Sequence, residues 1–128
     1  MKRFIPVSLF LLFIFWIIWQ ADSKGTNYLF RWVDSIPFKD KWGHFSLYGT
    51  LALMLDFALK SRHWLMFKIR IPTAAILVIT FAIVEEITQL WIPSRNFDLI
   101  DILADFAGVF LFVFCGRKVN EFRIFLLK

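Results

Sequence analysis

The sequence predicts an all-α membrane protein: a compact bundle of four transmembrane helices with both termini in the cytoplasm. Three observations carry this reading. Of the 128 residues, 59% are hydrophobic and the mean hydropathy is +0.67, whereas a soluble domain is about 45–50% apolar. The excess is gathered in blocks at residues 4–20, 42–59, 71–91 and 99–115, each close to the roughly 17–25 residues that cross a bilayer core. Finally, Lys and Arg divide unevenly between the connections. Lys2, Arg3, Lys60, Arg62, Lys68, Arg70, Arg117, Lys118, Arg123 and Lys128 lie on one side, and Lys24, Arg31, Lys39, Lys41 and Arg95 on the other. The richer side faces the cytoplasm by the positive-inside rule.

The first block follows Met1-Lys2-Arg3, which is similar to the basic start of a signal peptide. Trp16 and Trp19 stand where a cleavage site needs small residues, so the block is expected to be an uncleaved anchor. The outer connection Gln20–Lys41 contains Tyr28-Leu29-Phe30-Arg31-Trp32-Val33, a mixture suited to the headgroup layer. The second block opens with Asp40, Lys41, His44 and Tyr48. Near its far end, Asp56 precedes Lys60 by one turn and is expected to pair with it. His63 lies in a basic loop and should be solvated. A short outer turn, Ile92–Asp98, joins the third block to the fourth. Pro6, Pro37, Pro72 and Pro93 all fall at block edges, where a helix's first turn has no donor to lose. Trp16, Trp19, Trp42, Trp64 and Trp91 lie near block ends, as an aromatic belt requires. The lone Cys115 excludes an internal disulfide and reads as a small buried residue. The net charge of +5 flanks the apolar blocks, so it reports orientation in a bilayer and not nucleic-acid binding. The whole chain, 1–128, reads as one domain.

Carboxylates inside these blocks single out the working part. An acid in hydrocarbon costs roughly 2.5–3.5 kcal/mol on insertion scales and is kept where it pairs, takes a proton, binds an ion or lines a polar cavity. Lys41, His44 and Tyr48 share one face of the second helix, and Asp98, Asp101 and Asp105 share one face of the fourth. Glu85, Glu86 and Gln89 close the third helix, and Arg95 lies in the turn that follows. At about 1.5 Å rise per residue, Glu86 falls roughly 7–8 Å and Asp105 roughly 10 Å inside the outer boundary. The expected site is a polar cleft open to the outside and lined by Asp40, Lys41, His44, Tyr48, Glu86, Gln89, Arg95, Asp98, Asp101 and Asp105. Its acids outnumber its cations, so a protonated carboxyl or a bound cation is expected. Gly108 continues the acidic face of the fourth helix and allows close helix approach.

At these residues the chain resembles the VanZ-like family of small bacterial membrane proteins. Asp40-Lys41-Trp42-Gly43-His44-Phe45-Ser46-Leu47-Tyr48 is similar to the family's D-K-x-x-H-F-x-x-Y opening. Glu86-Ile87-Thr88-Gln89, then Arg95-Asn96-Phe97-Asp98-Leu99-Ile100-Asp101, then Asp105-Phe106-Ala107-Gly108 resemble E-x-x-Q, R-x-x-D-x-x-D and N-x-x-G in order and spacing. The motifs run over residues 40–108. Asp105 departs from the pattern by placing an acid where asparagine is common. The resemblance implies a multi-pass protein of the bacterial cytoplasmic membrane, with a role at the cell envelope and a link to glycopeptide tolerance.

Three functions fit. One is a binding protein whose cleft takes an envelope lipid, a lipid-linked glycan precursor or another amphiphile, with Lys41 and Arg95 meeting an anionic headgroup. The second is a membrane-embedded hydrolase or transferase on lipid-linked substrates. There, candidate catalytic residues are His44, Glu86 and Asp101, with His44 or Glu86 as general base and a divalent metal held by the Asp set. The third is an ion- or proton-coupled transporter that uses the buried acids. No cofactor is called for outright, although a divalent metal fits; the expected partners are the bilayer and an envelope lipid or lipid-linked precursor, and not nucleic acid. No phosphate loop, zinc motif or Ser-His-Asp pattern is present.

Overall fold

In a computed structural model of the chain, residues 2–22, 37, 39–92 and 95–127 are described. The expected interfacial segment Tyr28–Val33, together with Pro93 and Ser94, lies outside them. A 3₁₀ turn (Lys2–Phe4) leads into α1 (Ile5–Asp22). Helix α2 (Lys39–Ala58) follows, then a two-stranded hairpin of β1 (His63–Met66) and β2 (Ile69–Pro72). Helix α3 (Thr73–Thr88) runs into a 3₁₀ turn (Gln89–Trp91), and α4 (Leu99–Leu126) closes the chain.

Three helical stretches are long and apolar enough to cross a membrane: Lys2–Gln20, Thr73–Trp91 and Leu99–Leu126. Helix α2 falls short of that standard because His44, Tyr48 and Asp56 dilute its apolar residues. It is also the helix that packs against α1, α3 and α4 together, and His44, Tyr48 and Asp56 find their partners on those neighbours.

Other expectations change with the fold. The basic loop after α2 is a hairpin, so α3 begins at Thr73, two residues later than the apolar block. Helix α4 continues well beyond residue 115, to Leu126. At about 1.5 Å per residue its length is roughly 42 Å, about 12 Å more than a bilayer core. Cys115 is exposed on the outside of the bundle.

The core is built of small side chains. Leu51 and Ala52 of α2, Ala75, Val78 and Ala82 of α3, and Val109 and Val113 of α4 form one buried cluster with Tyr48. Val7 and Ile14 bring α1 onto this core, and Phe15 of α1 meets Phe81 of α3 edge to face at 5.5 Å. Small residues are what close helix packing in a membrane uses, because lipid tails satisfy large apolar groups as well as protein does. Leu9, Leu12, Trp19, Leu103 and Phe114 accordingly remain exposed on the periphery.

Helices α2 and α4 run parallel in a fixed register. His44 meets Asp105 and Asp56 meets Arg117, each pair 61 positions apart in sequence. The two pairs are separated by the same stretch of each helix, about 18 Å at about 1.5 Å per residue. Between them the backbones nearly touch. A Cβ on Gly108 would collide with the Phe45 backbone, and one on Gly49 would lie 2.9 Å from the Gly108 carbonyl oxygen. Helix α3 runs antiparallel to both and brings its last turn to the first turns of α2 and α4.

Candidate functional site

Asp98 joins the three helices. Its carboxylate caps α4 by accepting from the Ile100 amide at 2.8 Å, and it accepts from Lys41 Nζ of α2 at 2.6 Å. Its own amide donates to Glu86 Oε1 of α3 at 2.6 Å. An N-cap aspartate satisfies one of the orphan amides at a helix start. Here that cap also fixes α4 against α2 and α3. The Lys41 ammonium holds the Asp98 carboxyl below the ordinary carboxylate range, helped by the Ile100 amide. In turn, Asp98 and then Asp101 push Lys41 upward, outweighing its desolvation.

Lys41 Nζ also lies 2.9 Å from Asp101 Oδ1. Deeper along the same faces, His44 Nδ1 is 3.1 Å from Asp105 Oδ1, and His44 Nε2 is 4.0 Å from Asp101 Oδ2. The departure at Asp105 thus places a carboxylate beside an imidazole. A neutral His44 donates through one ring nitrogen only, so Asp105 orients the ring. The His44 ring stacks on Tyr48, with centroids 5.6 Å apart.

From α3, Glu85 and Glu86 are buried, Glu86 completely. The Gln89 side-chain amide donates toward Glu85 Oε1 at 3.1 Å and Glu86 Oε2 at 3.0 Å. Tyr48 Oη donates to Glu85 Oε2 at 3.4 Å, and Arg95 Nη2 stands 3.6 Å from Glu85 Oε1. One nitrogen of His44 and one oxygen from each of Glu85 and Glu86 lie within 4.8 Å of one another.

Nine of the ten residues predicted to line the site, together with Glu85, therefore form one connected polar network. It runs from Arg95 through Glu85, Gln89 and Glu86 to Asp98, and from Lys41 through Asp101 to His44 and Asp105. Asp40 is the exception: it is exposed on the first turn of α2.

A model of one protein family, described as VanZ/LLP1, matches residues 4–120. The chain belongs to the VanZ/LLP1 family. Neither among curated proteins nor among solved structures does any match. The match reaches beyond residues 40–108 to take in α1 and most of α4. It therefore covers a second polar locus of this VanZ/LLP1 chain, one that sequence reasoning misjudged.

Asp56 does not pair with Lys60. Its side chain is 1% exposed and is gripped by Arg117 of α4, with Nη2 to Oδ1 at 2.7 Å and Nε to Oδ2 at 3.0 Å. Ser61 Oγ donates to Asp56 Oδ2 at 2.9 Å, and Arg117 Nη2 also donates to the Arg62 carbonyl at 3.1 Å. The shared offset of 61 that relates His44 to Asp105 also relates Asp56 to Arg117. That repeat was the available signal in the sequence, but it is informative only once α2 and α4 are known to be parallel.

Proposed function

We propose that this VanZ/LLP1 protein is a polytopic protein of the bacterial cytoplasmic membrane that binds the polar head of an envelope amphiphile. An envelope lipid or a lipid-linked glycan precursor is the class expected. The α2–α3–α4 polar end faces outward and the termini face the cytoplasm, as the Lys/Arg bias favours. The supporting observation is the charge balance of the network. Glu85, Glu86, Asp98, Asp101 and Asp105 face Lys41 and Arg95, with His44 as a third cation when protonated. Lys41 is committed to Asp98 and Asp101, and Arg95 stands beside Glu85. This shifts the reading away from a purely anionic headgroup. A head that brings positive charge, as an ammonium or as a divalent cation on a phosphate, fits the acid excess better.

A second reading rests on one observation. His44, Glu85 and Glu86 offer ligand atoms within 4.8 Å of one another, and oxygen or nitrogen ligands at about 2.0–2.6 Å from one ion span such separations. A metal held there makes the protein a membrane-embedded hydrolase or transferase, with Asp105 orienting His44. One experiment separates the readings. The protein is purified in native lipid without chelator, and its bound lipids and metals are identified by mass spectrometry. An enriched amphiphile that Glu86→Gln releases supports binding. A stoichiometric divalent metal lost in both His44→Ala and Glu86→Gln favours the enzyme. Bulk lipid composition and no metal, in wild type and variants alike, would exclude both.

A further inference from the structure

The β1–β2 hairpin is more amphipathic than a connection requires. Its antiparallel register pairs Trp64 with Ile71, Met66 with Ile69, and Leu65 with Arg70. Residues directly opposite in an antiparallel pair project to the same face. Trp64, Met66, Ile69 and Ile71 therefore form one wholly apolar face, and His63, Leu65 and Arg70 lie on the other. Trp64 is 64% exposed, and Phe67 at the tip is 90% exposed. An isolated two-stranded hairpin is marginal in water and needs a further layer against its apolar face. The hairpin's main contacts with the helices are to α3, and they leave Trp64, Met66 and Ile69 exposed, with Ile71 half-buried.

The turn adds a second observation. Phe67 and Lys68 have φ of 50° and 66°, the left-handed conformation that two-residue hairpin turns favour and that Asn-Gly or Asp-Gly normally supplies. A bulky phenylalanine there carries strain, which is tolerated where it serves a function. The effect is to project an aromatic ring and an ammonium from the tip. The base is fixed as well: the Arg62 carbonyl accepts from Thr73 N at 3.0 Å and from Arg117 Nη2 at 3.1 Å.

Charge identifies the missing layer. Lys60, Arg62, Lys68 and Arg70 are all exposed, and no acid occurs between residues 57 and 84. The nearest carboxylate, Asp56, is taken by Arg117. The hairpin also joins α2 directly to the membrane-capable α3, so it lies at the level of a bilayer surface. We propose that the hairpin is an interfacial anchor for anionic lipid. Its Trp64/Met66/Ile69/Ile71 face lies on the headgroup–acyl boundary, and the four cations hold the phosphates of that leaflet.

The test uses the full chain with Cys115→Ser, reconstituted in lipid nanodiscs. An environment-sensitive fluorophore is attached at Met66→Cys on the apolar face or at Leu65→Cys on the opposite face. Nanodiscs contain either phosphatidylcholine alone or phosphatidylcholine with phosphatidylglycerol, each with spin-labelled lipid as quencher. The expected result is blue-shifted emission and stronger quenching at 66 than at 65, increased by phosphatidylglycerol. Each cation near an anionic surface favours the docked state by about fivefold, so Lys68→Gln with Arg70→Gln should weaken the phosphatidylglycerol effect sharply. Water-like emission at both positions in both discs would overturn the proposal, as would equal quenching at 65 and 66 or indifference to phosphatidylglycerol. An Ile69→Cys label, on the same face as 66, gives the same comparison if Met66→Cys fails to fold.

Discussion

Removing the Arg117 side chain should be one of the most damaging single changes at the end of the bundle opposite the candidate site. Arg117→Ala deletes two charge-assisted bonds to Asp56 and one to the Arg62 carbonyl. It leaves a carboxylate that is 1% exposed with a single side-chain donor, Ser61 Oγ. Breaking a buried ion pair from one side typically costs about 3–5 kcal/mol. The Arg117 side chain is 24% exposed, so water can follow when it leaves, and about 2–3 kcal/mol is the expected loss. Arg117→Lys keeps a charge but loses the planar fork that spans both carboxylate oxygens, and should cost about half as much. Adding Asp56→Asn to Arg117→Ala removes the stranded charge, so the double variant should be more stable than additivity predicts, by about 1–2 kcal/mol. Reversible unfolding in mixed micelles, followed by tryptophan fluorescence, measures wild type, the two Arg117 variants, Asp56→Asn and the double variant. A loss below about 0.5 kcal/mol for Arg117→Ala, the range of an ordinary surface change, would refute the reasoning.

Glu86→Ala leaves the Asp98 amide without its acceptor and the Gln89 side chain with Glu85 alone, and should cost about 1–3 kcal/mol, whereas Glu86→Gln keeps a carbonyl there and should cost less; the same unfolding measurement compares them. Gly108→Ala places a methyl against the Phe45 backbone and should destabilise by about 1–3 kcal/mol. Gly43→Ala, where a Cβ meets nothing within 4 Å, should be neutral or gain about 0.5–1 kcal/mol. Asp98 ionises more readily in the fold than in the unfolded chain, so its pair with Lys41 adds stability above the ordinary aspartate value of about 3.9 and loses it as pH falls through the lower folded value. Melting temperatures measured from pH 7 down to pH 3 should therefore fall less in Asp98→Asn than in wild type.

The amino-acid sequence by itself determined the membrane class, the apolar blocks and the end of the bundle where polar groups collect. Each of these follows from the cost of exposing a polar group to hydrocarbon, which is written into local composition and spacing. Lys41, His44 and Tyr48 share a face because a helix has a fixed period, and the same holds for Asp98, Asp101 and Asp105. The motifs at residues 40–108 located the family for the same reason: their residues are close in sequence as well as in space. Only the tertiary structure decided who pairs with whom. Asp56 has a cation one turn away in Lys60, yet it binds Arg117 on another helix because α2 and α4 run parallel and bring the two into register at close approach. That geometry reserves Lys41 for Asp98 and Asp101, sets Asp105 behind His44, and makes Asp98 the joint of three helices. Helix α2 has less apolar character than the other helices because it carries His44, Tyr48 and Asp56, whose partners lie on its neighbours. The hairpin was hidden because its turn uses Phe67 and Lys68 in a conformation that local preference assigns to Asn and Gly. Local chemistry selects which residues need partners; the partners themselves depend on helix direction and register, which no short stretch of sequence contains.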